Sequence, residues 1–234
     1  MDKHYRHENK YPVDAVLIEK VRMRMNALLQ LDENAGQDGR YEIRSVYFDD
    51  LDDTCYRKNM AGTDPRVKYR IRCYNGSEDH IRLEKKEKRN GMTAKTSCFL
   101  SPDQAHDLIG GRVPEDLFLN LGDQPGVLQE LVYFMKTRLF LPKIMVVYDR
   151  TPFVCRDGNV RVTLDENIAA GRPEDLFCRH PFLKPAMPSG RELIEVKYDG
   201  FLPGYIKDEL SLGRLKAETF SKYYLCRKTV GEFL

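Results

Sequence analysis

Charged side chains recur at every second position in several short segments, and that spacing puts them on one face of an extended strand. Lys68, Arg70 and Arg72 share a face, with Val67, Tyr69, Ile71 and Cys73 on the other. Arg82, Glu84 and Lys86 oppose Ile81 and Leu83, and Arg161, Thr163 and Asp165 oppose Val160, Val162 and Leu164. Glu195 and Lys197 oppose Ile194 and Val196, and near the N-terminus Arg6, Glu8 and Lys10 repeat the pattern. The chemistry open to such a set is anion binding. Arginine forks and lysine point charges match phosphate oxygens, and a glutamate with water suits Mg²⁺ or Mn²⁺. Taken singly, any one of these faces reads first as the solvated side of a half-buried strand. Several together imply more. If the apolar faces pack outward onto helices, the ionic faces turn toward each other, and a closed sheet of about eight strands encloses a cation-lined channel. Cations pointing at one another are costly unless an anionic guest lies between them.

The elements that must hold these faces are legible from periodicity and punctuation. A helix is predicted over about Asp14 to Leu31, with Val16, Leu17, Val21, Met25, Leu28 and Leu29 at helical spacing and Asp14 as cap. A second opens at Ser101-Pro102 and stops at Gly110-Gly111, a third covers about Gly126 to Leu139, a fourth opens at Pro203, and a last one covers Phe220 to about Val230. Strands are predicted at Tyr5–Tyr11, Tyr41–Phe48, Arg66–Tyr74, Ile81–Lys88, Thr93–Phe99, Lys143–Arg150, Phe153–Arg156, Val160–Asp165 and Leu193–Tyr198. Asn75-Gly76, Asn90-Gly91 and Asp157-Gly158 are hairpin turns between neighbours. Strands that meet in tight turns argue for an α+β fold built on an eight-stranded antiparallel β-barrel with helices packed outside, rather than a βαβ sheet. With no low-complexity stretch, repeat or Pro/Gly-rich linker, residues 1–234 read as a single domain.

Composition sets the bounds. The 38 Lys+Arg stand against 36 Asp+Glu, a formal charge of +2, which weakens any appeal to a globally basic nucleic-acid binder. Sorted by strand face, however, the proposed bore holds far more cations than carboxylates, and the remainder of the chain is acidic. The charged, h-region-free start and the lack of a long apolar run predict a cytoplasmic protein without a transmembrane segment. The 6 cysteines form no CxxC pair and read as reduced thiols. Walker A, GxGxxG, HExxH and GxSxG motifs are absent, and the dispersed histidines read as surface or turn residues. Asp49, Asp50, Asp52 and Asp53 follow a strand and read as turn and cap residues. Three readings remain at this level: an enzyme or receptor for a phosphate chain, a nucleic-acid binder lacking any RNP-like aromatic motif, and a non-catalytic module displaying a charged sheet.

Short motifs distributed along the chain resemble the VTC domain, the polyphosphate polymerase domain named for the vacuolar transporter chaperone complex. They are Tyr5-Arg6-His7-Glu8-Asn9-Lys10-Tyr11, Arg44-Ser45-Val46-Tyr47-Phe48-Asp49, Lys68-Tyr69-Arg70-Ile71-Arg72 and Leu83-Glu84-Lys85-Lys86. Tyr148-Asp149-Arg150, Val160-Arg161-Val162-Thr163-Leu164-Asp165, Glu195-Val196-Lys197 and Phe220-Ser221-Lys222-Tyr223 follow in the family's order. The resemblance implies a triphosphate tunnel metalloenzyme fold and transfer of the ATP γ-phosphoryl group to a growing inorganic polyphosphate chain, with Mn²⁺ or Mg²⁺ as cofactor. It implies that Lys10, Arg70, Arg72, Lys86, Arg150, Arg161 and Lys222 are the phosphate-binding catalytic set, with Arg6, Lys68, Arg82 and Lys197 as further substrate-binding cations. Glu195 is the implied metal ligand, assisted by or exchanged for cation pairing at Glu8 and Glu84, and Asp165 reads as a ligand or an arginine partner.

One departure is informative. Relatives that hydrolyse triphosphates or cyclise ATP open with Glu-x-Glu-x-Lys, and here the first of those positions is Arg6. Fewer carboxylates favour one metal over two, and so favour transfer over activation of a water. The alternatives are a tunnel-fold triphosphatase or polyphosphatase, and a non-catalytic polyphosphate- or nucleotide-binding module. The SPX and transmembrane segments of the eukaryotic complex have no counterpart in this sequence; regulation through unidentified protein partners is compatible with it.

Overall fold

The computed structural model describes residues 4–210 and 215–231. In chain order the elements are β1 (His7–Asp14), α1 (Ala15–Leu28), β2 (Gln30–Leu31), β3 (Tyr41–Asp49), α2 (Thr54–Met60), β4 (Arg66–Tyr74), β5 (Arg82–Arg89), β6 (Met92–Phe99), α3 (Pro102–Ile109), α4 (Glu115–Leu119), α5 (Gly126–Arg138), β7 (Leu141–Cys155), β8 (Val160–Gly171), β9 (Lys184–Pro185), β10 (Arg191–Tyr198), α6 (Gly204–Glu209) and α7 (Lys222–Gly231). One antiparallel sheet runs β1-β10-β8-β7-β3-β4-β5-β6, with β2 added to β7 and β9 to β8. The sheet curls until its edges meet at one bridge, where Arg6 and Thr93 exchange backbone hydrogen bonds of 2.9 Å in both directions. The result is an eight-stranded antiparallel barrel, joined at its seam by that single bridge and open beside it.

The alternation read from the sequence decides which way the sheet curls. Apolar faces point outward under two groups of helices. Ile18, Val21 and Met25 of α1 cover Val162, Leu164, Ile194 and Val196, all at most 1% exposed. Leu128, Leu131 and Val132 of α5 join Ile71, Leu83 and Val46 in the larger outer core. Full burial of each such side chain contributes about 1.5–3 kcal/mol, so turning the sheet inside out is prohibitive. The ionic faces are left to line the bore.

Local signals work where the chemistry is local. Asp14 accepts from the Leu17 N–H at 2.8 Å, and Ser101 with Gln104 forms a complete capping box on α3. The hairpin turn at Asn75-Gly76 has positive φ at both residues, as a type I′ turn demands, and Asn90-Gly91 repeats it. Two expectations change. The first helix ends at Leu28, because Gln30 and Leu31 leave it to pair with Val154 and Phe153. The two strands expected at Lys143–Arg150 and Phe153–Arg156 are one 15-residue strand. Pro152 is tolerated there because β3 ends opposite Arg150 and asks no N–H of it. The acidic run before α2 caps that helix, as expected: Asp50 accepts from Thr54 N at 2.8 Å, and Asp49 accepts from Cys55 N at 2.8 Å and Tyr56 N at 2.9 Å. No helix among the described residues is long and apolar enough to cross a membrane.

Candidate functional site

The bore holds a cavity of about 320 Å³ lined by side chains from seven of the sheet's strands and by the segment that leads into α7. Lys10 and Glu8 come from β1, Tyr47 from β3, Arg66, Lys68, Arg70 and Arg72 from β4, Lys86 and Lys88 from β5, and Thr93 from β6. Tyr148 and Arg150 come from β7, Glu195 and Lys197 from β10, and Ser221 and Lys222 from the start of α7. Because neighbouring strands are antiparallel, Arg66 and Lys88 lie toward one end of the bore, whereas Arg82, Arg6 and Arg161 lie toward the other.

Most of these cations are held by four buried carboxylates. Glu84, wholly buried, takes Arg70 at 2.6 Å and Lys95 at 2.8 Å, with Arg72 at 3.8 Å. Asp165, equally buried, takes Arg150 through both oxygens at 2.6 and 2.7 Å and Lys222 at 2.5 Å. Glu8 takes Lys86 at 2.6 Å and Lys10 at 3.0 Å. Glu195 takes Lys197 at 2.6 Å and also touches Arg150 and Lys10, both at 3.6 Å. Burial disfavours charge on Glu8 and Glu195, but Lys86 and Lys10 around the first, and Lys197, Lys10 and Lys222 around the second, hold both carboxyls well below the usual range. Burial likewise opposes the Lys10 ammonium, and Glu8 and Glu195 overcome it and raise its pKa. Two phenols fix the arginines on the opposite wall: Tyr47 accepts from Arg70 at 2.8 Å and Tyr148 from Arg72 at 3.2 Å.

Other cations lack this compensation. Among the described residues Lys68 touches no carboxylate; it donates to Asn59 Oδ1 at 2.6 Å and Ser221 Oγ at 2.8 Å. Burial, with Lys10, Lys86 and Arg66 nearby, pushes its pKa well below the ordinary lysine value. Burial also lowers Lys86 to about 7 despite its contact with Glu8. Across the sheet Lys68 faces Lys86, Arg66 faces Lys88 and Arg72 faces Arg82. Directly opposed like charges destabilise a strand pair, so this wall is strained until an anion lies over it.

The structure brings together Lys10, Lys68, Arg70, Arg72, Lys86, Arg150, Lys197 and Lys222 with Glu8 and Glu195. It does not bring Arg6, Arg82 and Arg161 to this cavity. Arg6 pairs with Asp199 at 2.7 Å, Arg161 with Asp32 at 3.0 Å, and both line a second space of about 800 Å³ at the far end; Arg82 stacks on the Phe99 ring. Glu84 sits under Arg70 and Lys95, apart from the Glu8–Glu195 pair, and Asp165 pairs with Arg150 and Lys222. Sequence reasoning passed over Arg66, Lys88, Tyr47 and Tyr148. The signal for the two cations was present, since each continues the alternation of its strand by one step.

Among the described residues no three His, Cys, Asp or Glu side chains gather as a metal cage. The donor set nevertheless fits one Mg²⁺- or Mn²⁺-like ion, which is commonly held by one or two carboxylates plus substrate phosphates. Glu8 and Glu195 converge on the single ammonium of Lys10. Thr163, the register partner of Glu195, has a buried hydroxyl with no hydrogen-bond partner.

The chain resembles solved structures of low sequence identity. A proposed adenylyl cyclase from Hippeastrum, described as having a dominant triphosphatase activity, is 11% identical with TM-score 0.55, covering 95% of each chain. A proposed adenylate cyclase from Bacillus halodurans is 14% identical with TM-score 0.50, covering 93% of this chain and 96% of that one. No curated protein matches the sequence. The sequence pattern of the VTC domain matches residues 5–230, nearly the whole chain, so this protein belongs to the VTC domain family on a triphosphate tunnel fold.

Proposed function

We propose that this chain is a polyphosphate polymerase that transfers the γ-phosphoryl group of ATP to the end of an inorganic polyphosphate chain inside the bore. The observation that carries the reading is the like-charged wall of β4 and β5, with Lys68 buried among cations and without a carboxylate. Only a polyanion threaded along the bore relieves it.

The chemistry asks little of general bases. A terminal phosphate oxygen of the chain is already ionised; it attacks the γ-phosphorus, the bond from that phosphorus to the β,γ-bridging oxygen breaks, and the electron pair leaves with ADP. What remains for the protein is to align two polyanions and stabilise the charge spread over the equatorial oxygens. Arg70, Arg72, Arg150, Lys10 and Lys222 converge on that space, preorganised by Glu84, Asp165, Glu8 and the two tyrosines. A divalent ion held by Glu195 and Glu8 together with phosphate oxygens would supply further charge neutralisation. Arg161, Arg82 and Arg6 are assigned to the far end of the bore. A cytoplasmic setting supplies the ATP.

The test is direct. The protein is incubated with ATP and Mn²⁺ or Mg²⁺, and long-chain polyphosphate is sought on gels. Chain growth that is lost in Arg70→Ala and Glu195→Gln supports the reading. Release of phosphate from tripolyphosphate without chain growth from ATP replaces it with a triphosphatase, the activity named for the Hippeastrum protein.

A further inference from the structure

Arg66 and Lys88 stand directly opposite each other on β4 and β5, at the end of the bore away from Arg161. Neither has a carboxylate within 4.0 Å among the described residues; Arg66 donates to the Thr63 carbonyl at 3.0 Å. The acid nearest in sequence, Asp64, is engaged elsewhere, accepting from Asn90 N at 3.1 Å and Gly91 N at 3.0 Å at the adjoining hairpin turn. Both cations line the same cavity as Arg70 and Lys86. Arg66 lies four residues before Arg70, about 13 Å along an extended strand, which is beyond the span of a triphosphate bound at Arg70.

We propose that Arg66 and Lys88 form a second anion site at the mouth, which holds phosphates of a linear polyphosphate several units away from the reacting bond. This site rests on the reading of the bore as a polyphosphate site and adds chain-length recognition to it. A triphosphate group, including that of ATP, is held by the deeper residues alone. A longer chain reaches both, so the protein favours long acceptors over short ones. The unpaired state of the two cations follows from this role. A carboxylate beside them would lower the cost of the empty mouth but would compete with each arriving phosphate.

The test compares two ligands on two proteins by calorimetry: tripolyphosphate and a longer linear polyphosphate of defined length, on the wild type and on Arg66→Gln/Lys88→Gln. The wild type is expected to bind the longer chain at least ten-fold more tightly. The double variant is expected to lose at least ten-fold for the longer chain and to stay within two-fold for tripolyphosphate. The salt dependence of long-chain binding should flatten in the variant, as it does when phosphate contacts are removed. Thermal melting without ligand should not fall, because a like-charge pair has been relieved. Equal losses for both ligands, or no loss for the longer chain, overturn the mouth site. A wild type that binds tripolyphosphate and the longer chain equally also removes it while leaving the deeper site intact. A wild type that binds neither overturns the underlying reading and this inference with it.

Discussion

At one end of the bore Arg66 and Lys88 face each other with no carboxylate within 4.0 Å among the described residues; at the other Arg6 lies against Asp199 and Arg161 against Asp32. Both ends present cations from bore-facing strand positions, and they differ in what meets them: at the far end Arg6 and Arg161 meet carboxylates while Arg82 stacks on Phe99. An arginine already neutralised by a carboxylate offers a guest a partner exchange, with little net gain. An unpaired one offers a full charge. The difference gives the bore a polarity that strand alternation alone does not carry: a charged mouth, a preorganised middle and a far end where two of the three cations are paired.

The sharpest way to break the comparison is to remove the same residue type from two levels of the bore. Arg150→Ala, in the middle, should lower chain-growth kcat by about 10²–10³, the cost of losing one group aimed at developing charge. Arg161→Ala should cost about ten-fold or less, since Asp32 already holds that side chain, a difference of about 1.4 kcal/mol or more between the two sites. Equal losses would put the reacting phosphates nearer the far end.

Stability gives a second test. Asp165 compensates Arg150 and Lys222 from a fully buried position, and its pKa is lowered although burial works against it. Asp165→Asn should destabilise the empty protein by about 3–5 kcal/mol, as breaking one side of a buried pair does. Tripolyphosphate should restore more melting temperature to this variant than to the wild type, because the ligand supplies the missing negative charge. A variant that melts like the wild type would show that the middle is not preorganised by its acids.

Much of this arrangement was legible in the sequence. Arg66–Tyr74 is a strand with the bounds that alternation predicts, and the inward face of β4 is the ionic one. Alternation reports the face of a strand, however, and not the level along the bore. Arg82 and Arg161 share faces with Glu84 and Asp165, yet lie toward the far end because antiparallel register displaces them. The seam at Arg6–Thr93 joins residues 87 positions apart and carries no local signal. The pairing of Asp165 with Arg150 spans a hairpin, which is why the sequence could name the two possibilities for that acid without choosing.

The wall between mouth and middle is pH-sensitive. Burial lowers Lys86 to about 7 in the empty bore. Its charge, and the anion affinity that depends on it, are therefore present below pH 7 and fade as pH rises through that value. Affinity for tripolyphosphate should fall several-fold between about pH 6 and 8, with proton uptake on binding near pH 7 measurable by calorimetry in buffers of different ionisation enthalpy. Lys86→Arg should abolish both, since a guanidinium stays charged. Proton uptake that persists in Lys86→Arg would transfer the effect to Lys68, whose pKa burial also lowers.

The smallest expected effect has the most diagnostic sign. Arg6 is part-exposed and its side chain lies against Asp199, while its backbone makes the seam regardless of side chain. Arg6→Ala should therefore leave long-chain affinity within two-fold. Asp199→Asn and Asp32→Asn should each tighten it by a similar factor, because they release a cation that the far end now holds neutralised. Among the described residues no matching substitution exists at the mouth, where no carboxylate pairs with Arg66 or Lys88. If Asp32→Asn weakens long-chain binding instead, Asp32 is orienting Arg161 toward the guest rather than neutralising it, and the two ends of the bore are then both binding sites.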